Sequence, residues 1–167
     1  AELGLDVEVK PLVLLSPEMD RLNPNRKVPW LVDTDGTTIF ESLAINLYLV
    51  RKYGATSDLA PHDFNEEANM LQWTMWAMTE LDMRLFEAIL LTPAVKQMGH
   101  PIANEKNFLT YFGRSRTHKR LEWLMKDLCL PLSVLEKALD GKSYLVGDRF
   151  TAVDLNVAVV LTWSKVL

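Results

Sequence analysis

Residues 23–53 read NPNRKVPWLVDTDGTTIFESLAINLYLVRKY, from Asn23 to Tyr53, and this run decides the fold. Asn23-Pro24-Asn25 is turn chemistry, because proline fixes φ and asparagine tolerates left-handed backbone. Trp30-Leu31-Val32 is short, apolar and partly β-branched, which favours a strand. Asp33-Thr34-Asp35-Gly36 holds the Asp-Gly dipeptide of tight hairpins, and Thr37-Thr38-Ile39-Phe40 suits the return strand. Beyond Glu41, the mostly apolar stretch Leu43–Val50 is too long for one short strand and predicts a helix. Ser42 is its N-cap candidate, because a hydroxyl there can accept from the first-turn amides. Two features exceed what folding needs. A cis Val28-Pro29 bond at the strand start would leave the N–H and C=O of Val28 facing outward, open to a ligand. Glu41 beside Ser42 at a helix start places an acid, a hydroxyl and the positive end of a helix dipole together, which suits a ligand carrying both an ammonium and a carboxylate. The plainer reading of Ser42 is a cap alone.

Upstream, Ala1 to Asp6 reads as the last turn of a helix closed by Gly4. Val7-Glu8-Val9-Lys10-Pro11-Leu12 alternates like a half-buried strand. Ser16-Pro17 places a cap before a first-turn proline, so a short helix is predicted from Pro17 to about Leu22. The order of helix end, strand, helix, hairpin and helix predicts a thioredoxin-like α/β domain over residues 1–54, with its first strand and most of its first helix lying outside the sequence.

Downstream, Gly54 closes the helix, and residues 55–63, with Ser57-Asp58 and Pro61-His62-Asp63, read as a linker. Residues 64–167 read as an all-helical domain. Its first helix is long, with a wide apolar surface from Met70 through Leu90. Trp73 and Trp76, three apart, suit a packed core, a subunit interface or a ligand platform. Thr92-Pro93 breaks this helix, and Gln97–Pro101 reads as a loop. A second long helix is predicted from about Glu105 through Leu128, with Arg114, Arg116, Lys119 and Arg120 either on a solvated face or offering an arginine to an anionic ligand. Pro131 begins another helix through Leu139. Thr151-x-x-Asp154 is a variant capping box, flanked by the staple positions Phe150 and Leu155, at the start of a helix from Ala152 to Trp163.

Composition narrows the function. Of 167 residues, 49% are hydrophobic and 24% charged, with a net charge of -4, as in an ordinary globular chain. Without a dense basic cluster, nucleic acid is not expected as the main partner. No apolar run approaches the roughly 20 residues of a membrane span. Cys129 is the only cysteine, so no internal disulfide forms. Set among Leu128, Leu130 and Leu132, it is expected to be a buried small residue. His62, His100 and His118 are scattered, and no metal site is expected.

NPNRKVPWLVD followed by IFESLAINLYLVRKYG resembles the glutathione-binding half of the glutathione S-transferases, whose motif runs roughly Asn-Pro-x-x-Lys-Val-Pro-x-Leu and then Glu-Ser-x-Ala-Ile. Gly147-Asp148-Arg149-Phe150-Thr151-x-x-Asp154 is similar to the hallmark of the family's helical domain, whose role is folding. The resemblance implies a thioredoxin-like domain followed by an all-helical bundle, with glutathione as co-substrate and no metal. The main chain of Val28, beside a cis Pro29, would pair with the cysteinyl part of glutathione. Glu41 would hold the γ-glutamyl ammonium, and Ser42 with its amide the carboxylate. Lys27 would approach the glycyl carboxylate, a role Arg26 beside it could share.

The same resemblance implies attack of the glutathione thiolate on small apolar electrophiles, a cytoplasmic homodimer, and no nucleic acid or membrane partner. The family's thiol-activating Ser, Tyr or Cys follows the first strand, upstream of Ala1, so the catalytic residue is unknown here. Tyr48, Tyr53 and Ser16 do not match its position. Family members usually carry further helices beyond the point matching Leu167, often covering the apolar substrate pocket. Two alternatives stand beside this reading. One is a non-catalytic interaction module, as in translation elongation factor subunits; the other is glutathione-dependent peroxidase, lyase or dehalogenase chemistry.

Overall fold

The hairpin and the helix after it come from residues 30–53, as their chemistry dictates. In the computed structural model, residues 2–10, 17–25, 27–93, 113 and 116–167 are described, the side chains of residues 18, 20 and 166 excepted. Strands β1 (Trp30–Val32) and β2 (Thr38–Phe40) pair antiparallel, with Trp30 opposite Phe40, Leu31 opposite Ile39 and Val32 opposite Thr38. Gly36 turns the hairpin at φ 87°, in the left-handed region that glycine enters without a Cβ penalty. Helix α1 (Pro17–Leu22) starts on its proline, as expected, and α2 (Ser42–Tyr53) buries Leu43, Ile45 and Val50.

The chain divides into two compact units, residues 1–62 with 150–152, and residues 63–149 with 153–167. In the first, the segment after α2 is fastened rather than loose. Ser57 donates through its hydroxyl to the Gly54 carbonyl (2.7 Å), Leu59 and Ala60 are buried, and the Ala152 amide donates to the Leu59 carbonyl (3.1 Å). Gly54 is required for space. Its φ is -116°, but a Cβ there would meet Leu3 Cδ2 at 2.6 Å and the Val50 carbonyl at 3.0 Å.

The second unit is helical. Helix α3 (Phe64–Trp76) is capped by Asp63, whose carboxylate accepts from the Glu66 amide at 2.8 Å. It runs into a π-helical segment (Ala77–Asp82) and then α4 (Met83–Leu91), ended at Thr92. The single long helix expected from the sequence is therefore interrupted by a π-helical stretch. Arg84 bridges the interruption, donating to the carbonyls of Thr79 (2.8 Å) and Glu80 (2.9 Å), and its Nε reaches Asp127 at 2.6 Å. The core lies along Leu81, Leu85, Ala88, Ile89 and Leu90, each at most 1% exposed, where burying one large aliphatic side chain contributes roughly 1.5–3 kcal/mol. Helices α5 (His118–Asp127), α6 (Cys129–Ala138) and α7 (Ala152–Leu161) follow, then a 3-10 segment (Thr162–Val166) whose Trp163 ring packs 5.6 Å from that of Phe86.

Several expectations are corrected. Val7–Lys10 is not a strand: no described residue offers it a ladder, and Val7 and Val9 are 54% and 85% exposed. Its expected end at Leu12, like the Ser16 cap, lies outside the described residues. Helix α5 starts at His118, behind an extended Thr117 whose side chain accepts from the Arg120 amide; Glu105, the 97–101 loop and Arg114 lie outside the described residues. Helix α6 begins two residues before Pro131, which sits buried in its first turn. Cys129 is exposed. Arg120 does not lie on a solvated face. Its guanidinium forms a two-pronged pair with buried Glu87, at 2.8 and 2.7 Å, and stacks 4.2 Å over Trp123. Asp154 accepts from the Leu145 amide at 2.8 Å, tying the loop before α7 to that helix, a folding role as expected.

Candidate functional site

The residues singled out from the sequence gather at the open end of the hairpin. Beyond the last ladder pair, Trp30–Phe40, one strand leads back to Pro29 and Val28 and the other leads on to Glu41 and Ser42. Buried Asn23 shapes the approach to this end. Its carbonyl oxygen accepts from the Asn25 amide (3.0 Å) and its NH2 donates to the Lys27 carbonyl (2.7 Å), an Asx turn that delivers Lys27 to the strand. Lys27 itself is exposed; Arg26 lies outside the described residues. Val28-Pro29 is cis. Val28 is 62% exposed, and its main-chain groups make no hydrogen bond to a described residue.

Across from it, Glu41 occupies φ 71°, ψ 113°, the one positive-φ non-glycine among the described residues. Such a conformation costs on the order of 1–3 kcal/mol and persists only where the surroundings impose it. Glu41, not Ser42, is the N-cap of α2: its carbonyl accepts from the Ile45 amide at 2.9 Å, and its side chain makes no capping bond. Ser42 is the first helical residue, half-buried. The expected hydroxyl cap is therefore absent from this helix start, and the first-turn amides of α2 carry no side-chain partner. Neither the Glu41 carboxylate nor the Ser42 hydroxyl is bonded to a described residue. An open strand end, an acid, a hydroxyl and the positive pole of a helix thus lie within a few residues of the Trp30–Phe40 pair.

The opposite end of the hairpin holds a clasp that the sequence reading missed. Asp33 accepts from the hydroxyls of Tyr48 and Tyr53, each at 2.5 Å, and from Lys52 Nζ at 2.8 Å; Lys52 also reaches Asp35 at 2.6 Å. Lys52 foremost, then the two tyrosines, holds the Asp33 carboxyl far below the ordinary range. Lys52 and then Thr37 draw Asp35 down to about 2. Asp33 and then Asp35 push Lys52 well up. The clasp ties the turn of the hairpin to the second half of α2. The available signal was the i, i+4 pair Tyr48–Lys52 downstream of an Asp-x-Asp turn. Both tyrosine hydroxyls are committed to Asp33.

Among the described residues no group of three His, Cys, Asp or Glu could hold a metal ion, and no helix is long and apolar enough to cross a membrane. Comparison with known families matches residues 1–52 to the glutathione S-transferase N-terminal domain and residues 100–167 to the glutathione S-transferase C-terminal domain. Glutathione S-transferase PM239X14 of Arabidopsis thaliana is 29% identical over 160 residues, covering 92% of this chain and 68% of the relative. Glutathione S-transferase theta-1 of Mus musculus is 30% identical over 150 residues, covering 89% and 57% respectively. The crystal structure of glutathione transferase URE2P6 from Phanerochaete chrysosporium, in complex with oxidized glutathione, superposes with a TM-score of 0.74 at 26% identity, over 98% of this chain and 69% of that one. This chain thus spans between 57% and 69% of the length of these three proteins. The expected architecture, a thioredoxin-like half followed by a helical bundle, is the one these matches share.

Proposed function

The chain belongs to the glutathione S-transferase family, and from that premise we propose that it binds glutathione at the open end of its hairpin, as part of a protein that conjugates the thiolate to small apolar electrophiles. The observation that carries this reading is the start of α2, without a side-chain cap and entered through Glu41 at positive φ, next in the chain to the strand whose partner begins at the exposed Val28 and its cis Pro29. Val28 would pair through N–H and C=O with the cysteinyl residue, as an added strand does. Glu41 would take the γ-glutamyl ammonium, and the Ser42 hydroxyl and amide its carboxylate. Lys27 would meet the glycyl carboxylate. Conjugation needs the thiolate, and a free thiol titrates near ~8.5, so the protein must favour the anion. We assign that step to no residue of this chain.

We further propose a cytoplasmic homodimer. Phe64, Leu71 and Met75, 80%, 49% and 61% exposed, form an apolar stripe along α3 with the spacing of one helix face.

The test is Ser42→Ala with glutathione in a titration calorimeter. Affinity should fall by roughly 1.5–3 kcal/mol, the size of a hydrogen bond to a charged group, or about tenfold to a hundredfold. Because Ser42 is not the cap, the melting temperature should stay within about 2 °C of the parent's, the shift of a change under ~0.5 kcal/mol. Unchanged affinity would remove Ser42 from the site.

A further inference from the structure

Asn23 differs from the residues that follow it. Every described residue from Pro24 to Pro29 is exposed, whereas Asn23, with a polar side chain, is 1% exposed. Burying a carboxamide costs free energy unless its groups are bonded, and a bonded one contributes little more than an apolar side chain of its shape. What a buried amide adds is direction, because its donors and its acceptor work only over a narrow range of angles.

Three bonds hold it. The Asn23 main-chain amide donates to the Met19 carbonyl at 2.8 Å, which fastens it to α1, and Met19 is itself 1% exposed. The side-chain oxygen accepts from the Asn25 amide at 3.0 Å, and the side-chain NH2 donates to the Lys27 carbonyl at 2.7 Å. The bond to Asn25 makes the turn. The bond to Lys27 reaches past the turn to the residue before Val28.

That last bond decides where the next amide points. The Lys27–Val28 peptide is trans, and in a planar trans peptide the C=O and the N–H point in opposite directions. With the Lys27 oxygen held on the buried carboxamide, the Val28 N–H is turned away from Asn23, and it meets no acceptor among the described residues. Donation to a peptide carbonyl also polarises that peptide and strengthens its N–H as a donor. The Asn23 carboxamide and the Lys27–Val28 peptide therefore form a relay whose far end is open.

We propose that Asn23 is a positioning residue for glutathione, which aims and strengthens the Val28 N–H as donor to the cysteinyl carbonyl. The inference rests on the glutathione reading and adds to it a buried residue that acts through the main chain. It also names the group selected, the carbonyl that follows the cysteinyl Cα.

Asn23→Ser in the whole chain tests this. Serine is too short to reach Lys27, but its hydroxyl can still accept from the Asn25 amide, so the turn is kept and the relay is cut. Three ligands are titrated by calorimetry. They are glutathione; γ-glutamylcysteinamide, which keeps the cysteinyl carbonyl without the glycyl residue; and γ-glutamylcysteamine, which lacks that carbonyl. Asn23→Ser should weaken the first two roughly tenfold each, and the third by less than about twofold. The amide nitrogen resonance of Val28 in the ligand-free protein should move upfield, because its peptide carbonyl has lost a donor. A purely structural role would weaken all three ligands alike. That result overturns the proposal, as does an unchanged glutathione affinity or an unmoved Val28 resonance. Should Asn23→Ser not fold, Asn23→Asp carries the same expectations, since it keeps the shape and the acceptor but sets a charge against the Lys27 carbonyl. Weaker glutathione binding in Ser42→Ala with none lost in Asn23→Ser would sink this inference alone. A parent protein that binds none of the three ligands would sink the glutathione reading and this inference with it.

Discussion

Removing Arg120 strips a two-pronged counter-charge from a buried acid, and the structure sets the cost. Glu87 is 4% exposed, in the helix that carries the core, and both its oxygens accept from Arg120. Breaking one side of a buried pair typically costs about 3–5 kcal/mol. The Arg120 side chain is 20% exposed, so water reaches part of the site and the low end, about 3 kcal/mol, is expected for Arg120→Met. Methionine keeps the apolar contact with Trp123, so the loss reports the charge. Glu87→Gln should cost ~2 kcal/mol, because the amide keeps its shape and loses its charge. The double variant should cost clearly less than the sum, with a coupling of at least ~1.5 kcal/mol. Urea unfolding followed by tryptophan fluorescence measures all four proteins. A cost below ~1 kcal/mol for Arg120→Met, or additivity within ~0.5 kcal/mol, would refute the claim that this pair is a buried anchor between α4 and α5.

The clasp predicts a pH signature. Asp33 and Asp35 lie below the unfolded carboxyl value near ~3.9, so their contribution is complete above that pH and is lost as pH falls through about 2 for Asp35 and lower for Asp33. Lys52 is raised, so its contribution holds at and below the unfolded value near ~10.4 and is lost only in stronger alkali. The urea midpoint of the parent should therefore exceed that of Lys52→Met at pH 6, and the gap should close towards pH 2; a constant gap would show that the clasp is not ionic. Gly54→Ala should destabilise by about 1–3 kcal/mol, as overpacking does, and Leu3→Ala in the same chain should recover part of it, read from urea midpoints. Asp154→Ala leaves the Leu145 amide without its acceptor, so a loss of about 1–3 kcal/mol is expected, with glutathione affinity unchanged by calorimetry.

Much of the first unit was legible because its signals are local. Pro17, Asp35-Gly36 and the apolar run after Ser42 each act within a few residues of themselves, and the elements appear where those residues place them. What was not legible depends on distance. Val7–Lys10 has the alternation of a strand, but alternation names a face and not the neighbour that must supply hydrogen bonds. Arg120 and Glu87 are 33 positions apart, and Asp33 and Tyr53 are 20 apart, so neither pair can be seen in a window. Cys129 failed for a different reason. Leucines at 128, 130 and 132 alternate with the period of a strand, whereas the helix buries Leu128, Pro131 and Leu135 at the period of 3.6 and leaves positions 129 and 130 outside. Of the candidate site, the residue types and the cis bond were readable. The positive φ of Glu41 was not, because glutamate has no intrinsic preference for it.

The π-helical stretch sets the phase of everything beyond it. A helix of this kind advances roughly 80° per residue where an α-helix advances roughly 100°, so six residues retard the far half by on the order of a third of a turn. Counted as one uninterrupted helix, the outward stripe of Phe64, Leu71 and Met75 would continue on a fixed bearing; with the lag, α4 presents a rotated face, on which Leu85, Ala88, Ile89 and Leu90 are buried and Phe86 packs against Trp163. Interior and exterior along this rod are therefore assigned by a count of residues as much as by their hydrophobicity. A single deletion between Ala77 and Asp82 that restored the α-helix would turn five residues through roughly 500°, close to the roughly 480° of six π-helical ones, and so keep Arg84 on Asp127; a one-residue insertion just before Arg84 would instead swing it and the Leu85–Ile89 ridge off their seats.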